Sequence, residues 1–318
     1  MRFLDLHCDT VTECLAQGFS LSDNPLHLDV QRASCFDTWI QTFAIWIPDT
    51  LRGKDAWAYF ERNYDFYLQQ TDICGLTRCV RYADMERVVS EGGFASILAV
   101  EGGAVLGGML ERTDELYRRG VRILTLTWNA ENELGFGCQS EGGHLKPFGR
   151  DVLRRMDALG MIADVSHLDR IGFYDVLEQT TRHVLASHST SEAVLRSTRR
   201  ESVDSRFSKR RALSDDQIRA LSAHGGLIGL NFCGSFLGDP GDDGIQAAIR
   251  HAAHILELGG EDILAIGSDF DGCPMHADLS GIEKIPALYE AFLRNGFGSA
   301  LCEKIFFRNG LHFFKNML

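Results

Sequence analysis

The stretch Gly149-Arg150-Asp151-Val152-Leu153-Arg154-Arg155-Met156-Asp157-Ala158-Leu159-Gly160-Met161-Ile162-Ala163-Asp164-Val165-Ser166-His167 contains, in miniature, the plan of the whole chain. Val152, Leu153, Met156 and Leu159 recur at helical spacing, so Gly149–Leu159 is predicted as a helix that buries one face. Gly160 is expected to cap it, because glycine enters the left-handed conformation without a Cβ penalty. Met161–Val165 is then a short, nearly continuous apolar run, the pattern of a strand buried on both faces. His167 follows just past the strand's carboxyl end.

Working outward from this unit, the same alternation recurs along the chain. Further apolar runs lie at Arg2–Leu6, Trp39–Ile45, Ser96–Val100, Val121–Thr125, His183–Ala186, Leu227–Leu230 and Ile263–Gly267, which with Met161–Val165 makes eight. Helical stretches are clearest at Lys54–Thr71, Gly149–Leu159, Ser214–Ala223 and Asp243–Leu258. Ser214 serves as an N-cap with Asp215 and Asp216 in the first turn, and Gly259 is expected as a C-cap. Parallel strands need helical crossovers, and eight of them close around a side-chain-filled interior. The fold expected is therefore a single-domain α/β (β/α)8 TIM barrel over residues 1–318, with an open doubly wound sheet as the weaker alternative.

Reactive side chains gather at one end of these strands. His7 and Asp9 follow the first run, Glu101 the third, His167 the fifth, His188 the sixth and Asp269 the eighth. In a closed barrel the loops after the strands converge, so residues far apart in sequence meet there. His7 and Asp9 stand two apart and reach the same way from an extended chain. Glu101, between Val100 and Gly102, is a carboxylate that needs a cation or a donor. Five imidazole and carboxylate groups suit zinc or a similar divalent ion, but exceed the need of an open mononuclear site. With Glu101 bridging, they divide into His7, Asp9 and Glu101 for one ion and Glu101, His167 and His188 for another. A water or hydroxide bridging the two Zn2+ would then be the nucleophile. Asp269 is left free for proton transfer, with Asp271 as its rival.

Composition narrows the partners. Thirty-two Lys and Arg against 44 Asp and Glu give a formal net charge of −12 in 318 residues, which argues against nucleic acid. Nine cysteines without a Cys-x-x-Cys pair suit buried thiols in a reducing compartment. No stretch approaches a membrane span and the N-terminus does not read as a signal peptide, so a cytoplasmic location is expected. Arg196–Arg211, with seven basic residues, is read as a solvated loop insertion. His251 and His254, three apart on a helix, are expected to be solvated. Phe306, Phe307, Phe313 and Phe314 are expected to be core or subunit contact, and His276 with Met275 to line the mouth of the site.

At this point the chain resembles the membrane (renal) dipeptidase family of the amidohydrolase superfamily. The resemblance rests on Asp5-Leu6-His7-Cys8-Asp9-Thr10, Val100-Glu101-Gly102-Gly103, Leu124-Thr125-Leu126-Thr127, Pro147-Phe148-Gly149-Arg150, Asp164-Val165-Ser166-His167, Ser187-His188-Ser189, Leu213-Ser214-Asp215-Asp216-Gln217 and Gly267-Ser268-Asp269-Phe270-Asp271-Gly272. It implies a zinc-dependent, homodimeric dipeptidase with His7, Asp9, Glu101, His167 and His188 as ligands and Asp269 as acid/base, tolerant of a C-terminal D-residue. Two departures stand out. Trp128 occupies the place of a substrate-contacting His, a role left to the metals or to His144 in the next loop. The arginine that clamps the dipeptide carboxylate falls on Arg199 when counted from His188 and on Arg211, which is preferred, when counted from Leu213-Ser214-Asp215. The rivals are a mononuclear deaminase or cyclic-amide hydrolase, disfavoured because those open with His-x-His, and a non-catalytic ligand-binding relative.

Overall fold

The computed structural model describes residues 1–198, 210–238 and 243–318. Its strands are β1 (Arg2–Cys8), β2 (Thr38–Trp46), β3 (Thr77–Arg78), β4 (Gly93–Glu101), β5 (Val121–Thr125), β6 (Ile162–Asp164), β7 (Leu185–Ser189), β8 (Leu227–Leu230) and β9 (Leu264–Ile266). All pairings between them are parallel. The order runs β2-β1-β9-β8-β7-β6-β5-β4, and β2 pairs β4 directly from Thr38–Gly93 to Trp46–Glu101, which closes the barrel. Each of the eight expected runs is a barrel strand. The two-residue β3 was not foreseen: it lies along Ala95 and Ser96 of β4, ahead of the segment that pairs β5. A two-residue strand carries too little periodicity to be read from sequence.

The helices differ from expectation mainly at their ends. Observed spans are Gly53–Ile73, Pro147–Leu159, Asp215–Ala223 and Gly244–Gly259. Ser214 caps its helix through a reciprocal box with Gln217, and Gly160 ends its helix in the left-handed region. Gly259 is still helical; Gly260, at φ 83°, is the cap instead.

Two apolar layers result from alternation along the strands. Leu4, Ile40, Ala44, Ile97, Ile123, Ile162, Leu185, Leu227 and Ala265 form one cluster with Phe307, Phe313 and Phe314. The C-terminal helices therefore plug the amino-terminal end of the barrel, which leaves the carboxyl end for chemistry. Residues of the opposite strand faces, among them Phe3, Trp39, Phe43, Val100 and Leu124, pack under the surrounding helices. No helix among the described residues is long and apolar enough to cross a membrane.

Candidate active site

Two irregularities in the barrel aim the site. Between Asp5 and Cys8 the pairing of β1 with β2 gains one residue, and the pairing of β7 with β8 does the same between Ala186 and Ser189. A bulge re-aims a side chain relative to strict alternation. His7 lies within the first and His188 within the second, and their rings stack with centroids 3.7 Å apart.

Glu101, the last residue of β4, sits between the two halves of the site. Its Oε2 lies 3.6 Å from His7 Nε2, while its Oε1 lies 2.8 Å from His167 Nε2 and 3.4 Å from His188 Nε2. Asp9 Oδ2 is 3.4 Å from His7 Nε2. All five residues are buried, none exposing more than 6 % of its surface.

These residues fit divalent metal. His7 Nε2 and Asp9 Oδ1 are buried with no hydrogen-bond partner among the described residues, an arrangement that is costly unless a cation meets them. Two ligands each ~2.1 Å from one tetrahedral ion lie about 3.4 Å apart, close to the separations around His7. The other ring nitrogens are fixed from behind. His167 Nδ1 is 2.9 Å from Asn129 Oδ1, which only accepts, so the proton sits on Nδ1. His188 Nδ1 faces Ser187 Oγ at 2.7 Å, and that hydroxyl donates to Asp164 Oδ2 at 2.6 Å. Both Nε2 lone pairs are thereby turned toward Glu101.

The charges follow from burial and proximity. Burial opposes ionised Glu101, but His7 and His167 hold it well below the usual carboxylate range. Burial also works against a charged His7, yet Glu101 and Asp9 raise it well above an ordinary imidazole. His167 is pushed down to about 4 by burial and by Arg211, and His188 is lowered by burial, His7 and Arg211, so both are neutral donors. Burial and Glu101 raise Asp9 to about 6.

Asp269 is carried to the site by the turn after β9. Its backbone N–H donates to His7 O at 3.1 Å, and Asp9 N–H donates to Phe270 O at 2.8 Å, which stitches this turn to the end of β1. Both Asp269 (φ 63°) and Asp271 (φ 69°) are left-handed, a conformation that Asp tolerates better than most residues. Gly272 is required here, since a Cβ would lie 2.3 Å from Asp9 Oδ2 and 2.4 Å from Asp269 Oδ1. Asn231 Nδ2 donates to Asp269 Oδ2 at 2.9 Å, while Oδ1 faces His7 at 4.0 Å. Burial, with Asp9 and Glu101 nearby, raises Asp269 to about 7 despite the opposing His7. Asp271 points away: it accepts from Thr10 Oγ1 at 2.5 Å and from the His27 N–H at 2.7 Å, which makes it a structural tie.

The expected substrate residues separate. Arg211 is buried, not part of a solvated insertion; it donates to His188 O at 2.7 Å and Ser189 Oγ at 3.2 Å, and its Nε has no partner among the described residues. Arg199 lies outside the described residues. Trp128 stands beside the site, 6.3 Å from the His167 ring and 4.9 Å from Trp46 between centroids. His144 is exposed and paired with Asp175 at 2.9 Å, on the flank of the helix Arg170–Gln179, so it does not take the place beside Trp128. His251 is buried, with Nε2 3.0 Å from Leu237 O, and His254 pairs with Asp215, so neither is a solvated residue. Sequence reasoning missed Trp46, Asn129, Asn231 and Asp164. Trp46 carried the one usable signal, because it ends a strand on the same rim.

A sequence profile of the membrane dipeptidase family, peptidase family M19, matches residues 1–317. The chain belongs to that family. It is accordingly a metal-dependent hydrolase. An uncharacterised protein from the pqqA 5' region of Klebsiella pneumoniae is 29% identical over 253 residues, covering 76% of this chain and 89% of that protein. The dipeptidase tcpJ of Claviceps purpurea is 30% identical over 227 residues, 70% of this chain but 51% of that larger protein. A crystal structure of a Rhodobacter sphaeroides metallopeptidase, liganded with a phosphinate mimic of the dipeptide L-Ala-D-Ala, superposes with TM-score 0.90 at 23% identity, covering 100% of this chain and 99% of that one. The structure of dipeptidase AC, a metallopeptidase of family M19, gives 0.89 at 24% identity over 100% and 98% of the two chains. These structures share the barrel.

Proposed function

We propose that the protein is a binuclear zinc dipeptidase that accepts dipeptides with a C-terminal D-residue, residues 1–318 acting as one catalytic unit in the cytoplasm. One observation carries the reading: the two oxygens of Glu101 face different partners, Oε2 toward His7 and Oε1 toward His167 and His188. A carboxylate so placed serves two ions at once. The family and the dipeptide mimic held by the Rhodobacter relative support the substrate class.

In this reading His7, Asp9 and Glu101 would hold one ion and Glu101, His167 and His188 the other. When bound, the ions would supply Lewis acidity for the carbonyl and the water. Asp269 does the proton work through Oδ1, because Asn231 occupies Oδ2. It takes a proton from the attacking water and returns it to the leaving amine. Arg211, whose Nε has no partner among the described residues, is assigned to the substrate carboxylate. Trp128 and Trp46 form an aromatic wall that receives a substrate side chain.

A panel of L-Xaa-L-Xaa and L-Xaa-D-Xaa dipeptides, assayed alongside metal content, tests the proposal. Two zinc ions per chain with hydrolysis of both classes is the expected result. One ion per chain would return the mononuclear deaminase or cyclic-amide hydrolase, and two ions without hydrolysis of any dipeptide would favour a binding protein.

A further inference from the structure

A second group of ligand atoms stands behind the candidate site. The loop after β8 carries Cys233 and the loop after β9 carries Cys273. The two loops are held together by an antiparallel bridge between Cys233 and Met275, with the Gly234 N–H donating to Pro274 O at 3.0 Å. The sulfurs of both cysteines and a carboxylate oxygen of Asp269 lie within 4.8 Å of one another. Cys273 Sγ donates to Asp269 Oδ2 at 3.6 Å, and Cys233 Sγ lies 3.3 Å from the hydroxyl of Ser235. Cys233 is buried, Cys273 is half-buried and Ser235 is exposed, so the group opens to solvent on one side.

We propose that Cys233, Cys273 and Asp269 form a second, inhibitory site for thiophilic divalent cations, sharing Asp269 with the candidate active site. Two thiolates and one carboxylate make a soft donor set that prefers zinc in excess or cadmium and discriminates against magnesium. The five residues around Glu101 offer only nitrogen and oxygen, so the two sites differ in chemistry as well as position. Binding releases the two thiol protons to solvent and ties Oδ2 of Asp269 to the ion. The carboxylate is then drawn toward the thiolates and away from proton transfer. This inhibition rests on the assignment of Asp269 as acid/base, whereas the binding itself does not.

The test uses the zinc-loaded full chain, titrated with Cd2+ and separately with Mg2+, beside the Cys233→Ala/Cys273→Ala double variant. Wild type is expected to bind one more Cd2+ than the double variant and to develop an ultraviolet cadmium–thiolate band. Its dipeptide turnover should fall about 100-fold, the scale of a positioned acid/base. Each turnover is scaled to its own uninhibited rate; the double variant should resist Cd2+, and Mg2+ should act on neither. Should the double variant fail to fold, Cys273→Ala alone, at the half-buried position, serves in its place. Equal Cd2+ stoichiometry without a thiolate band would overturn the site, as would a Cys233–Cys273 disulfide found in its place by peptide mapping. A thiolate band with turnover intact would overturn the inhibition while leaving Asp269 itself to be judged by its own variant.

Discussion

At the scale of single residues, Asp269 has the environment of a group meant to exchange protons. Its pKa is raised to about 7 chiefly by burial, with Asp9 and Glu101 adding to the effect. Asp269→Asn keeps the hydrogen bond from Asn231 and leaves the five side chains proposed as ligands untouched, so zinc content should be retained while kcat falls about 100-fold or more. Near-normal turnover by that variant would refute the role. The same shift has a consequence for stability in the metal-free chain. A carboxyl whose pKa rises on folding binds more protons in the native than in the unfolded state between the two values, so its contribution declines as pH climbs from about 4 to about 7. Asp269→Asn should therefore stabilise the metal-free chain by a few kcal/mol above pH 7 and by much less below pH 4, as read by urea unfolding. A gain that did not vary with pH would contradict the shift.

At the scale of elements, the strand ends were legible and the devices that aim them were not. The eight apolar runs, and the reactive residue after each of five, follow from the two-faced burial of parallel strands, which leaves a strong compositional trace. The bulges that turn His7 and His188 inward leave none, because an extra residue in a ladder looks like any other residue. The supports behind the imidazoles were equally silent. Asp164 on β6 accepts from Thr125 Oγ1 of β5 at 2.6 Å, from Ser187 Oγ of β7 at 2.6 Å and from Ser166 Oγ at 2.7 Å, tying neighbouring strands to one carboxylate. From sequence it is only a polar residue inside an apolar run. Ser187→Ala removes the acceptor of His188 Nδ1–H and frees the ring to turn. Metal affinity should drop by about 10- to 100-fold in a chelator competition, with far-ultraviolet circular dichroism unchanged. Unaltered affinity would show that the serine merely fills space.

At the scale of the whole molecule, the barrel places stability at one end and strain at the other. Phe307, Phe313 and Phe314 close the amino-terminal end as an apolar plug, while the carboxyl end collects Asp9, Glu101 and Asp269 with three histidines, all buried. Three buried carboxylates near one another repel, and the single raised His7 offsets only part of that charge. Arg211 shows why the loops were harder to read than the barrel: its basic neighbours suggested a solvated face, yet pairing of Leu213 with Ser191 draws it beneath His188. Divalent ions bound only by the native state relieve the repulsion and stabilise it by mass action, about 4 kcal/mol at a thousandfold excess over Kd. Zinc at that excess should therefore raise the Tm of the apo chain by several degrees. Glu101→Gln removes a carboxylate charge that His7 and His167 hold ionised, so its Tm without metal should fall below that of wild type and most of the zinc-induced rise should disappear. Calorimetry of both proteins with and without zinc separates the outcomes: a full zinc-induced rise in Glu101→Gln would mean that the ions bind elsewhere than around this residue.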